Sequence, residues 1–286
     1  MRIALGLEYD GSRFCGWQTQ PQGCGVQDAL ERALSEIAGE PVATTCAGRT
    51  DAGVHGVGQV VHFDTAAERP LAAWVRGTNA LMPAAVAVTW SRAVGGEFHA
   101  RYAARLRTYR YVLLNRGVRP AADHGRAGWF HAPLDVERMR AAARLLLGEH
   151  DFTAFRAAEC QAKTPVRTLT RLEVARRGDY VVFELCANAF LHHMVRNIVG
   201  SLVYVGKGSQ PPEWLGLLLA RRDRAQAAPT FEAAGLYLAA VQYDAQWGLP
   251  DATLRPLGEI LDAGTGESRV TSSCVIYPSS GHESRP

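Results

Sequence analysis

Apolar and polar positions alternate from Arg2 to Tyr9, with Ile3, Leu5, Leu7 and Tyr9 on one face, the period-two signature of a strand. From Gly25 to Ala38 the spacing lengthens. Val26, Leu30, Ala33, Leu34 and Ile37 fall on one face of a helix, with Gly39 as its stop and Pro41 beyond. Residues 42–46 and 57–63 read as strands around a loop, 71–81 as a helix and 85–94 as a strand, giving the order β-α-β-β-α-β. The order recurs further along. A strand is expected over 107–114 and a helix over 135–147, capped by Asp135 and stopped by Gly148. A hairpin of strands 166–176 and 180–187 turns at Gly178 and Asp179; helices over 190–205 and 213–222 and a strand over 235–243 follow.

The pattern predicts an α+β protein of two ferredoxin-like halves joined into one mixed, largely antiparallel sheet with a central cleft. The halves are expected at 1–104, carrying a Gly-Asp loop, and at 105–244. Residues 245–286 are rich in Gly, Ser, Pro and Thr and read as a flexible tail.

Composition narrows the class. The chain has 286 residues, 47% hydrophobic and 21% charged, as in ordinary folded proteins. No apolar run approaches the roughly 18 residues of a membrane span. Six cysteines show no CxxC or zinc-ligand spacing and read as reduced thiols of a cytoplasmic protein. The net charge of +3 is modest, but seven arginines (101, 105, 107, 110, 116, 119 and 126) crowd a stretch whose one acid is Asp123. Tyr102, Tyr109 and Tyr111 interleave with them. That combination suits phosphate contact and base stacking, although an arginine-rich solvated face has the same composition.

The densest candidate chemistry is CAGRTDAGVHG at 46–56, a loop between two expected strands holding Arg49 and Asp51 among three glycines. Its plain alternative is a turn in which Asp51 caps backbone amides. No GxSxG, HExxH or phosphate-loop motif is present. His192 and His193 are adjacent, and neighbouring helical positions diverge by about 100°, so a shared metal ion is not expected there. Arg196 lies in an apolar helix and requires a partner, for which a carboxylate in the cleft would serve.

Five segments taken together, EYDGSRFCGWQTQP (8–21), GRTDAGVHG (48–56), FHARYAARLRTYRYVLLN (98–115), DFTAFR (151–156) and NAFLHHMVRNIVG (188–200), resemble the tRNA pseudouridine synthase A family in family order. The resemblance runs from about residue 2 to 244. It implies isomerisation of uridine to pseudouridine in the anticodon stem-loop of tRNAs, at positions 38 to 40, by a cofactor-free and metal-free homodimer. It also implies that Asp51 is the essential carboxylate, as nucleophile or base, that Arg49 holds the flipped nucleotide, that Tyr109 packs on the target base, and that Arg196 pairs with Asp51. A non-catalytic RNA-binding protein on the same fold, or a hydrolase using Asp51, remain the competing readings.

Overall fold

A computed structural model describes residues 1–250. In chain order it contains β1 (Arg2–Tyr9), α1 (Val26–Ala38), β2 (Thr45–Cys46), β3 (His55–Asp64), α2 (Leu71–Leu81), β4 (Val86–Val94), β5 (Leu106–Asn115), β6 (Gly128–Phe130), α3 (Val136–Arg144), β7 (Gly148–Asp151), β8 (Val166–Arg177), β9 (Tyr180–Ala187), α4 (Met194–Gly206), α5 (Trp214–Arg221) and β10 (Leu236–Gln242). All ten strands join one mixed sheet whose main path is β4-β1-β3-β10-β5-β9-β8-β7, with β2 on β3 and β6 on β5. The α+β architecture is therefore as expected. The first half is ordered β4-β1-β3 with β2 beyond, and the second runs β10-β5-β9-β8, the same arrangement twice.

Side-chain alternation places the two faces of the sheet. On β1, Ile3, Leu5 and Leu7 pack with Val26, Leu30 and Leu34 of α1 and Trp74 of α2, while Ala4 between them belongs to the opposite core with Val60 and Phe98. In the second half, Leu113, Phe183 and Leu185 pack with Met139 of α3 and Ile198, Val199 and Leu202 of α4. α4 is buried almost all round, as an apolar helix must be; Arg196 and Tyr204 are its half-exposed residues.

Several boundaries move for local reasons. The strand expected over 42–46 shrinks to two residues because side chains of α1 take its amides: Val42 N–H donates to Ser35 Oγ (2.9 Å) and Thr44 N–H to Glu31 Oε1 (2.7 Å). The helix expected over 135–147 is capped by Asp135, whose carboxylate accepts from Arg138 N–H at 3.1 Å, and ends at Arg144. Beyond it the amides of Leu145, Leu146 and Leu147 bond three residues back, tightening the last turn. Gly178 turns the β8–β9 hairpin at φ 56°. Residues 251–286, most of the expected tail, lie outside the described residues; at its start Trp247 packs on Phe98 with ring centroids 5.3 Å apart.

Two joins position the site. β3 pairs with β1 along one edge from Gly56 to Asp64, so β2 and β10 must share the other. β10 takes His55 and Gly56 in parallel, and β2 takes Val61 and His62. Close approach at this crossing needs glycine: a Cβ on Gly58 would lie 2.3 Å from the Ala239 carbonyl oxygen. The cysteines are also not all thiols, as Cys15 and Cys24 are bonded with Cα atoms 5.4 Å apart. Their nine-residue separation carries no spacing signal; the loop simply returns on itself before α1.

Gly58→Ala is therefore expected to lower stability by about 1–3 kcal/mol in urea denaturation, by forcing β3 and β10 apart. Gly117→Ala, where an added Cβ meets nothing within 4 Å, is expected to leave the midpoint unchanged.

Candidate active site

The loop from Ala47 to Val54 connects the end of β2 to the start of β3, and its backbone is held at nearly every step. Ala47 N–H donates to Val60 O (2.8 Å), Gln59 Nε2 to Gly48 O (2.7 Å), and Trp17 N–H to Thr50 O (2.9 Å). The Thr50 hydroxyl is 2.9 Å from the buried Tyr9 hydroxyl. Val54 N–H closes the turn on Asp51 O at 3.1 Å, with Gly53 at φ 79°. From the second half, the buried Arg107 guanidinium donates to the carbonyls of Ala47, Arg101, Ala104 and Asn188. A loop pinned in this way presents its side chain at a fixed place with little ordering left to do on binding.

That side chain is Asp51, and three cationic or cation-capable groups converge on it. Arg196 Nη1 donates to Asp51 Oδ2 at 3.1 Å, while its Nε donates to Phe231 O at 2.8 Å, so the guanidinium is fixed from two sides. His192 Nε2 lies 3.2 Å from Oδ1 and His193 Nε2 3.3 Å from Oδ2. The Asp51 side chain is 24% exposed and that of Arg196 16%, so the pair is sheltered but reachable by a ligand.

The histidine pair departs from the sequence reading. Residues 190–193 are not helical; α4 begins at Met194, and His193 sits at φ 61°, ψ 2°. This left-handed step, which costs a non-glycine residue about 1–2 kcal/mol, replaces the helical divergence of neighbouring side chains and brings the two rings to 4.0 Å between centroids. Burial, opposed by the Asp51 charge, lowers the His193 pKa and favours a neutral ring.

Tyr109 of β5 lies beside the loop. Its hydroxyl would stand 3.6 Å from a methyl placed on Gly48, and Phe190 packs edge-on against its ring at 4.9 Å. Burial and the Asp51 charge both raise its pKa, so the phenol is neutral. Arg49 stands apart from the group: it is exposed, with no hydrogen bond or ion pair among the described residues. Asp51 and Arg196 are thus in contact, Tyr109 adjoins them, and Arg49 is on the surface of the same loop.

The arginine-tyrosine stretch divides. Arg101, Arg105, Arg116, Arg119 and Arg126 are exposed, whereas Arg107 is buried and Arg110 is bonded to Glu184 at 2.7 Å. Of these three tyrosines Tyr102 is open to solvent, at 76%, and Tyr109 is largely buried beside the loop; Tyr111 is a core residue whose hydroxyl donates to Glu232 O, so it has no face to offer a base. His55, the histidine of the same motif, is also structural. Nδ1 accepts from Gly11 N–H (3.1 Å) and Nε2 faces the carbonyls of Gly125 (2.9 Å) and Ala234 (3.1 Å), which fixes the Nε2–H tautomer and ties three segments together.

Comparison with known proteins places this geometry in context. Residues 7–103 and 142–244 match the model of a family described as tRNA pseudouridine synthase. The chain is 61% identical to tRNA pseudouridine synthase A of Thiobacillus denitrificans over 255 residues, covering 89% of this chain and 98% of that one. It is 58% identical to the protein of that name from Nitrosomonas eutropha, with 87% and 90% covered, and 59% to that from Dechloromonas aromatica, with 88% and 96% covered.

An NMR titration of the histidine ring protons is expected to place the His193 midpoint below the ordinary value near 6.5. Asp51→Asn removes the negative charge that opposes the downward shift, so the midpoint is expected to fall further. A rise would contradict the arrangement of charges described above.

Proposed function

The chain belongs to the tRNA pseudouridine synthase family, and on that premise we propose that it modifies the anticodon stem-loop of tRNA, at positions 38 to 40, with Asp51 as the carboxylate on which the reaction turns. As a member of that family it is an isomerase that converts uridine in tRNA to pseudouridine. The observation that carries the role of Asp51 is its contact with Arg196 at 3.1 Å at the start of the join between the two halves.

The isomerisation breaks the bond from ribose C1′ to uracil N1 and forms one from C1′ to C5. A proton leaves C5 and one is taken up at N1, so no atom is gained or lost. Asp51 can serve by attacking the nucleoside as a nucleophile or by removing a proton from the ribose; both require an ionised carboxylate. Arg196 favours that state, since an adjacent positive charge stabilises the anion, and its second bond to Phe231 O keeps the pair in register.

A uridine inside a stem must leave its stack, at a cost of a few kcal/mol. Tyr109 offers a neutral phenol ring for the extruded uracil, and the exposed guanidinium of Arg49 is free to occupy the vacated position or hold phosphate. The exposed arginines at 101, 116, 119 and 126 supply the electrostatic attraction a polyanion needs, while Arg105 is paired with Asp244 at 2.7 Å. No organic cofactor is required by the atom balance. The family resemblance further supports a homodimer acting in the cytoplasm, where tRNA is found.

Unmodified tRNA carrying tritium at uridine C5 tests the proposal, because the label is lost only when C5 becomes the glycosidic carbon. Wild type is expected to release tritium and Asp51→Ala to release none, with the product mapping to positions 38 to 40. Tight tRNA binding without release would mark a binding protein instead. Arg196→Leu is expected to lower kcat by about a hundredfold while changing tRNA affinity much less. Equal losses in both would assign Arg196 to phosphate binding.

A further inference from the structure

We propose that Asp51, His192 and His193 form a three-ligand site for a divalent transition-metal ion such as Zn2+, and that the ion competes with the uridine substrate for the carboxylate. The competition rests on the role of Asp51 proposed above, whereas the binding does not.

The donor set carries the argument. Two imidazole nitrogens and a carboxylate oxygen are the ligand types of three-protein-ligand zinc sites, and here one ligand atom from each residue falls within 4.8 Å of the others. Bonds of about 2.0–2.2 Å in tetrahedral geometry put ligand atoms roughly 3.3 Å apart. His192 Nε2 lies 3.2 Å from Asp51 Oδ1 and His193 Nε2 3.3 Å from Oδ2, so each imidazole stands at about that spacing from one carboxylate oxygen. The left-handed backbone at His193 is what permits this from adjacent residues, since on a regular helix the two rings would diverge. All three side chains are part-exposed, with 39%, 26% and 24% of His192, His193 and Asp51 accessible, so an ion can enter and the remaining position can be taken by water.

The surrounding charges set the strength. Arg196 on Asp51 Oδ2 opposes a cation, whereas the Glu159 charge near His193 favours one. The site is accordingly weaker than a structural zinc centre and reversible by chelators. An ion held there occupies the one carboxylate whose freedom the isomerisation requires, which makes it an inhibitor rather than a cofactor.

The test is a titration of the full chain with Zn2+ in competition with a chromophoric chelator, repeated with Co2+ while following visible absorption bands of nitrogen and oxygen coordination. One ion per chain is expected. His192→Gln and His193→Gln should each weaken binding by more than about tenfold while circular dichroism and thermal midpoint show an intact fold. His131→Gln, at an exposed position away from the site, should leave binding unchanged. Zn2+ should also suppress tritium release and a chelator should restore it. Absence of binding by wild type, or binding by both histidine variants as tight as that of wild type, would overturn the site. Binding that follows the two histidines but leaves tritium release untouched would overturn the competition and count against Asp51 as the reacting group. Failure of the metal-free chain to release tritium would speak against the assigned reaction alone, because the titration is read without turnover.

Discussion

A β-strand has two edges, and β3 has three partners. One edge is taken along its length by β1, so β10 and β2 must divide the other, β10 at the start of the strand and β2 near its end. The backbone at the division cannot be covered by a continuous neighbour, and the chain between β2 and β3 is displaced into a loop held instead by side chains and by Trp17. Asp51 is the residue that results. Its position is thus a product of strand pairing, and the close contact of Gly58 with Ala239 is the condition for that pairing.

The second half answers this geometry with charge. A carboxylate drawn out of water needs a partner, and Arg196 supplies it from a helix otherwise devoted to burial. The same helix start brings two imidazoles to the carboxylate by way of one strained residue. Strain of this kind persists only where the surroundings over-determine it, and here the packed helix below and the Asp51 loop above both do so. The guanidinium, the phenol of Tyr109 and the two imidazoles all come from the half that does not carry Asp51, so neither half holds the site by itself.

Much of this was legible in the sequence, and the rest fails for identifiable reasons. Strands β1, β3, β4, β5, β8 and β9 and helices α1 and α2 lie close to where the pattern of apolar positions puts them. β6 and β7, of three and four residues, are too short to express a period. The place of β10 between the halves could not be read at all, since partner choice in a sheet is a non-local decision. Asp51 and Arg196 stood out because a lone acid in a glycine-rich loop and a lone arginine in an apolar helix both demand explanation. His192 and His193 were dismissed on helical geometry that is sound for a helix but does not apply one residue before it begins. Tyr111 shares the inward face of β5 with Tyr109 and Leu113, a placement that an arginine-rich stretch does not reveal in the sequence.

The order in which a ribosome delivers this chain gives the central strand a particular meaning. β10, the last strand described, is hydrogen-bonded to β3 on one side and β5 on the other, in the interior of the sheet. Until residue 242 has emerged, every earlier strand can be synthesised while two interior edges still lack their partner. A nascent chain therefore carries a vacant slot flanked by apolar strands through almost its whole synthesis, the kind of open edge that recruits foreign strands or chaperones. Closure of the sheet and completion of the Asp51 surroundings then come as a single late event, so a truncated translation product lacks a continuous sheet and a finished site together.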